Sequence, residues 1–222
     1  MSLIRRRGGI PTGNDGPGAG QSLVEFAFVF PIFLLLILGL IEFTFVFSGM
    51  LGISYATRDA ALLAAEAGSG TGADCVIIKA VDQAVSAPAD DNRITVITIY
   101  RADLNGVEAA GVSNQWHRNL PTEAPSPCPD GTTVPYTQQT FGYPEGTNPI
   151  NSVPFRCNWV NGCDDDGDGV SDRPLDTIGV RVEYVHRWVT PLGGFPGPGF
   201  GGQGGNGFTL TQSNSMRMEP VL

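Results

Sequence analysis

The hydrophobic pattern divides the chain at once. From Phe26 to Ile41 it reads FAFVFPIFLLLILGLI without a charge, and after Glu42 it resumes as FTFVF. The run from Leu23 to Phe47 is apolar on every side apart from two glutamates, unlike a globular core helix, which keeps one polar face. At 1.5 Å per residue it exceeds the roughly 20 residues that cross a bilayer, so a spanning helix is predicted over 21–47. Pro31 removes the hydrogen bond to the Ala27 carbonyl, and local loosening is expected there.

Beyond Phe47 the spacing becomes that of an amphipathic helix. Met50, Ile53, Tyr55, Ala60, Leu63 and Ala67 recur at near-helical intervals up to a Gly-Ser-Gly-Thr-Gly stop, and the alanine-rich face suits close packing on a helix or sheet. A second helix is predicted over Ala73–Ser86, with Val76, Ile77, Ala80, Val81 and Ala84 on one face. Alternation then predicts strands in Arg93–Arg101, Thr177–Thr190 and Phe208–Met218, enough for a small antiparallel sheet. Val107 to Pro154 shows little periodicity and reads as a long irregular insertion. The GGFPGPGFGGQGGNG stretch before the last strand reads as a flexible loop. The expected fold class is α+β: an N-terminal transmembrane helix extended into an outer helix, packed on a small antiparallel sheet with long irregular loops. The division expected is a basic leader at 1–20, the membrane helix at 21–47 and an outer domain at 48–222.

Charge orients this plan. Arg5, Arg6 and Arg7 precede the apolar run and the acidic residues crowd beyond it, which places the N-terminus in the cytoplasm and the bulk of the chain outside. A net charge of −9 with 13 Lys plus Arg among 222 residues leaves no cationic cluster for phosphates, so nucleic acid is excluded as a partner. A secretory signal also begins with basic residues and an apolar run, but such signals have shorter cores, and the segment after this run gives no clear A-x-A site before helix-like sequence continues. Outside the cytoplasm, Cys75, Cys128, Cys157 and Cys163 can form two disulfides in three possible pairings. Closeness in sequence favours Cys157 with Cys163, leaving Cys75 with Cys128. Only two histidines are present, His117 and His186, and no G-x-S-x-G, H-E-x-x-H or P-loop pattern occurs, so catalysis is not expected. His186 reads as a structural strand residue. Trp116, Trp159 and Trp188 read as buried anchors.

Glu25 stands just inside the apolar run, where a carboxylate at the bilayer centre would cost about 2.5–3.5 kcal/mol. Gly20-Gln21-Ser22-Leu23-Val24-Glu25-Phe26 resembles the type IV and Flp-type prepilin processing motif: a glycine, then a glutamate at the fifth mature position and an aromatic at the sixth. The longer stretch GQSLVEFAFVFPIFLLLILGLIEF is similar to the opening of the TadE-like family of pilin-like proteins. The resemblance implies cleavage by a prepilin peptidase between Gly20 and Gln21. It also implies that Glu25 neutralises the new α-amine of a neighbouring pilin-like subunit, since a paired charge is cheaper in hydrocarbon than two separate ones. Flp major pilins are very short and carry tyrosine where this chain has Phe26, so the resemblance points to the minor, TadE-like class.

One outer segment carries further chemistry. Asp164, Asp166 and Asp168 at alternate positions, Gly169 for the turn, a Val170 carbonyl and Asp172 follow the first half of an EF-hand-like calcium loop. The run also resembles the repeats of thrombospondin type 3 and dockerin-like modules. It departs from them at the twelfth place, where Leu175 replaces the usual glutamate; Asp176, one residue on, is the expected substitute, closing the loop at 164–176. Calcium is thus an expected structural cofactor, with the bilayer, a prepilin peptidase and other pilin-like subunits as expected partners. The alternative is a stand-alone tethered calcium-binding or adhesive protein.

Overall fold

The computed structural model describes residues 18–68, 72–85, 89–140, 175–190 and 207–219. The chain falls into two compact units, Met1–Ile41 and Glu42–Leu222. Helix α1, Gly18–Ala67, runs unbroken through Pro31 and contributes to both. In the first unit every large apolar side chain from Leu23 through Ile37 is exposed, with Phe28 at 75%. Such a surface is stable only in an apolar medium or against apolar partners.

In the second unit, helix α2 (Ala73–Ala84) is followed by strands β1 (Ile94–Ala102), β2 (Glu108–Arg118), β3 (Ser126–Pro127), β4 (Thr133–Val134), β5 (Tyr136–Thr140), β6 (Thr177–Arg187) and β7 (Gly207–Arg217). Five of these form an antiparallel sheet in the order β5-β2-β1-β6-β7, and β3 pairs with β4 apart from it. The fold is therefore α+β, as the periodicity predicts.

The outer half of α1 packs through small residues. Gly49, Ile53, Ala56, Ala60, Ala61 and Ala64 are buried, joining Ile97, Ile99, Val180, Val182 and Tyr184 of the sheet in one apolar core. The alanine-rich face packs as expected, and of the periodic set Ile53 and Ala60 are buried while Met50 and Tyr55 are exposed. Small side chains let the helix backbone approach the sheet, and the bulky ones are turned outward. The Asn214 amide on β7 fixes the register by donating to Thr57 Oγ1 at 2.7 Å and to the Ser54 carbonyl at 3.3 Å. On the other face of the sheet Tyr100 lies across its register partner Gly179, where any Cβ would collide with the ring. Arg181 covers that ring and pairs with Glu108 at 2.6 Å.

Helix α2 ends at Ala84, two residues short of expectation, and its buried face includes Cys75 and Ile78 while Val76 is exposed. Two contacts one turn apart on α2 hold the turn at 128–132. Cys75 is disulfide-bonded to Cys128, and Lys79 Nζ meets Asp130 Oδ2 at 2.6 Å. The Lys79 ammonium, with the Thr132 donors, holds the Asp130 carboxyl well below the usual carboxylate range. The Cys75–Cys128 pairing agrees with the sequence expectation; Cys157 and Cys163 lie outside the described residues.

The expectation of an irregular Val107–Pro154 is corrected for 108–140, where β2 to β5 fold; residues 141–154 lie outside the described residues. The alternation on β2 is hidden because two of its buried positions are Ser113 and Asn114. The Asn114 amide donates to Asp74 Oδ2 at 2.8 Å, and Trp116 Nε1 does so at 3.1 Å. Asp74 lies in the first turn of α2, where a negative charge complements the helix dipole, so one buried carboxylate joins helix to strand.

The disulfide closes a loop whose ends are 53 residues apart, which by loop entropy is worth about 4 kcal/mol. Cys75→Ser with Cys128→Ser should therefore lower the unfolding free energy by roughly 2–4 kcal/mol. The check is denaturant unfolding followed by the fluorescence of buried Trp116.

Candidate functional site

Two carboxylates interrupt the apolar surface of α1, and the structure gives them opposite surroundings. Glu25 is exposed, and its Oε1 accepts a hydrogen bond from Gln21 Nε2 one turn earlier, at 3.0 Å. Gly20 and Gln21 both lie within the helix, so the expected scissile bond is in its first turn. Gly18 and Gly20 weaken the start of that helix, because glycine gives up the most backbone freedom on becoming helical.

Glu42 is 3% exposed. Its Oε1 lies 2.8 Å from Nε2 of His186, the last inward-facing residue of β6, and the backbone N–H groups of Val189 and Thr190 also donate to the carboxylate. A carboxylate already accepting amide hydrogens is an acceptor, so the imidazole donates through Nε2. The histidine itself is enclosed by aromatic rings. Phe208, its register partner on β7, lies 5.3 Å away between centroids, and Trp188 sits edge-on at 6.2 Å. The chain arrives there because alternation along β6 keeps Ile178, Val180, Val182, Tyr184 and His186 on the buried face. The same period that hides the apolar residues delivers one polar group to the helix.

Elsewhere the polar groups serve the fold. Tyr136 donates its hydroxyl to Asp82 Oδ1 at 2.7 Å and accepts from Arg118 Nη1 at 2.8 Å, with the guanidinium over its ring. Burial pushes both the Asp82 carboxyl and the Tyr136 phenol above their ordinary values, and Arg118 opposes the shift in each. His117 is half-buried on β2 opposite Val96 and Thr137. Arg58 and Asp59 are exposed on α1.

Residues 20–62 match the family model described as TadE-like protein. The matched segment starts at Gly20, contains Glu25 and Glu42, and ends at Leu62, inside the last turns of α1. The resemblance read from the apolar motif thus holds along the helix, and the sheet lies outside the matched residues. No curated protein and no solved structure matches the chain.

Of the remaining expected site residues, Asp176 is buried immediately before β6, and its carbonyl accepts the Met218 N–H at 2.9 Å. Asp164, Asp166, Asp168, Val170 and Asp172 lie outside the described residues, as does Trp159. Trp116 is fully buried, in agreement with an anchoring role, whereas Trp188 is only half-buried. Sequence reasoning assigned no role to Glu42, Asp74 or Asn114. The usable signal for Glu42 was its isolation in an apolar run, because a lone carboxylate there requires a donor from elsewhere in the chain.

Replacing Glu42 by alanine strands His186 and two amides, and removing one member of a buried pair costs roughly 3–5 kcal/mol. Glu42→Gln keeps an acceptor oxygen of the same shape and should cost clearly less. Urea midpoints of the two variants in detergent micelles, against the parent chain, give the comparison.

Proposed function

We propose that this chain is a membrane-anchored, pilin-like component, of the minor TadE-like class, of a tight adherence (Flp-type) pilus or a related secretion apparatus. The observation that carries the reading is the TadE-like match over residues 20–62, which falls on a helix whose apolar side chains from Leu23 through Ile37 are all exposed. One span holds the chain in the bilayer, with the N-terminus inside and the sheet-bearing unit outside. A prepilin peptidase cleaves between Gly20 and Gln21, after the glycine-weakened start of the helix opens locally. The new amine at Gln21 meets Glu25 of a neighbouring pilin-like subunit. Support for that pairing comes from the contrast between the two glutamates: Glu42 has an imidazole and two amides, while Glu25 has a neutral amide from Gln21. We assign no catalytic role.

Intact-mass and N-terminal peptide analysis of membrane-extracted protein, from cells with and without the peptidase, tests the reading. The expected result is a peptidase-dependent start at Gln21, with Glu25→Ala impairing association with other subunits while membrane insertion persists. An uncleaved chain would favour a plain tether.

We also propose that the loop 164–176 binds calcium structurally, through Asp164, Asp166, Asp168, the Val170 carbonyl, Asp172 and Asp176. The support is chemical: carboxylates at alternate positions repel one another unless a hard cation lies between them, and oxygen donors at that spacing suit calcium. Binding energy would then order the connection into β6. Calcium titration by calorimetry should give a dissociation constant of about 10⁻⁴–10⁻³ M, typical of extracellular modules, and Asp166→Asn with Asp168→Asn should abolish the heat.

A further inference from the structure

We propose that the end of the outer unit formed by Phe43, Phe47, Arg187, Trp188 and Val189 rests in the headgroup layer of a lipid bilayer, so that the sheet is held against the membrane surface. The inference rests on the membrane-anchor reading and adds a second contact that the spanning helix does not require.

The first observation is a common level. The Val189 N–H donates to both oxygens of Glu42, at 3.2 and 3.1 Å, which fixes the loop after β6 at the height of Glu42 on α1. Phe43 follows Glu42 directly, and Phe47 is one turn further out, stacked on Phe43 with centroids 6.1 Å apart. Two segments far apart in sequence therefore bring apolar side chains to one level. These side chains face outward, with Phe43 67%, Phe47 52% and Val189 55% exposed. Trp188 is half-buried, supported at 5.8 Å by Phe208.

The second observation is arithmetic. A hydrocarbon core of about 30 Å takes up about 20 helical residues, which residues 22–41 supply. The headgroup region adds about 5–7 Å on each side, or roughly three to five residues. On the outer side that layer begins at Glu42, takes in Phe43 and ends near Val46, with Phe47 at its outer edge.

The third is chemical. Aromatic rings accumulate in this layer and an adjacent arginine extends to lipid phosphates; the Trp188 Nε1 is itself buried, so it is the ring's apolar part that is open to the outside. Arg187 is exposed beside Trp188, a cation in a chain whose net charge is −9. Glu42, the anion at this level, is turned inward onto His186 and repels no phosphate. A loop facing water would gain nothing from Phe43, Phe47, Trp188 and Val189 together.

The test uses the full chain reconstituted in phosphatidylcholine vesicles containing lipid brominated either near the headgroup or near the chain end. The expected result is a blue-shifted Trp188 emission, quenched more strongly by the shallow bromine. That component should be absent from Trp188→Phe. Should Trp188→Phe lose its β-sheet circular dichroism, Val189→Trp places a reporter at an exposed position, and the same shallow quenching is expected. A Trp188 component quenched by aqueous iodide and untouched by bromine would overturn the proposal. So would protection that ignores bromine and grows with the protein-to-lipid ratio, because a second copy would then cover this face. Release of the chain by alkaline carbonate would defeat the anchor reading and this one with it. A chain that stays embedded with a water-exposed Trp188 defeats only this one.

Discussion

The buried carboxylate of Glu42 is the constraint around which the outer unit is arranged. An ionised carboxylate inside an otherwise apolar helix surface is tolerated only if donors reach it. The donors come from the far end of the chain, the His186 imidazole and the Val189 and Thr190 amides. Meeting that requirement sets where β6 ends, which way its alternation faces, and the height on α1 at which the sheet starts. The pair is a positioning device more than a source of stability, because desolvating both groups offsets most of their attraction. A hydrocarbon pair there would pack without specifying register. The carboxylate accepts only when α1 and β6 are correctly placed along their axes.

Above that point the helix is fitted to the sheet by size. Gly49, Ala56, Ala60 and Ala64 bring backbone to strand, and the Asn214 bond to Thr57 ties the register again about four turns from Glu42. A helix pinned by polar contacts at both ends of a smooth apolar face cannot slide, although alanines alone would allow it. The opposite side of the sheet follows the same logic. Gly179 makes room for Tyr100, whose ring then receives the Arg181 guanidinium. Helix α2 is fastened through its disulfide, its lysine and the Asp74 carboxylate, all within its first two turns. In its last turn Asp82 accepts the Tyr136 hydroxyl, which ties that end to β5 instead.

How much of this was legible in the sequence follows from which residues do the packing. Strand β6 buries valine, isoleucine and tyrosine in near-alternation and β1 is dense in β-branched residues, so both are visible as strands, and their bounds fall within a few residues of expectation. Strand β2 buries serine and asparagine, and β5 is five residues long, so neither carries an apolar period and both were read as irregular. The alanine-rich face of α1, expected to suit close packing, is the one that meets the sheet, while Met50 and Tyr55 of the same periodic set are exposed. The Cys75–Cys128 bond was one of the pairings the sequence left open, favoured because Cys157 and Cys163 lie close together in the chain. The Glu42–His186 contact was not legible, because it joins residues 144 apart and nothing local in either segment announces the other.

The two glutamates of α1 also show why a motif and a fold are separate sources of inference. Read as sequence, both are acidic residues followed by phenylalanine in an apolar helix, Glu25-Phe26 and Glu42-Phe43. Read as structure, the second is satisfied within its own chain, by donors that a 222-residue protein can supply and a very short pilin cannot. The first is exposed on a helix whose apolar side chains are exposed around it. Its hydrogen bond from Gln21 is neutral, and in hydrocarbon a neutral amide offsets far less of a carboxylate's desolvation than a cation does. A large outer unit therefore removes the need of Glu42 for a partner and leaves that of Glu25 intact. In the reading proposed above, a peptidase that freed an α-amine at Gln21 would generate such a cation at the start of the helix in every copy.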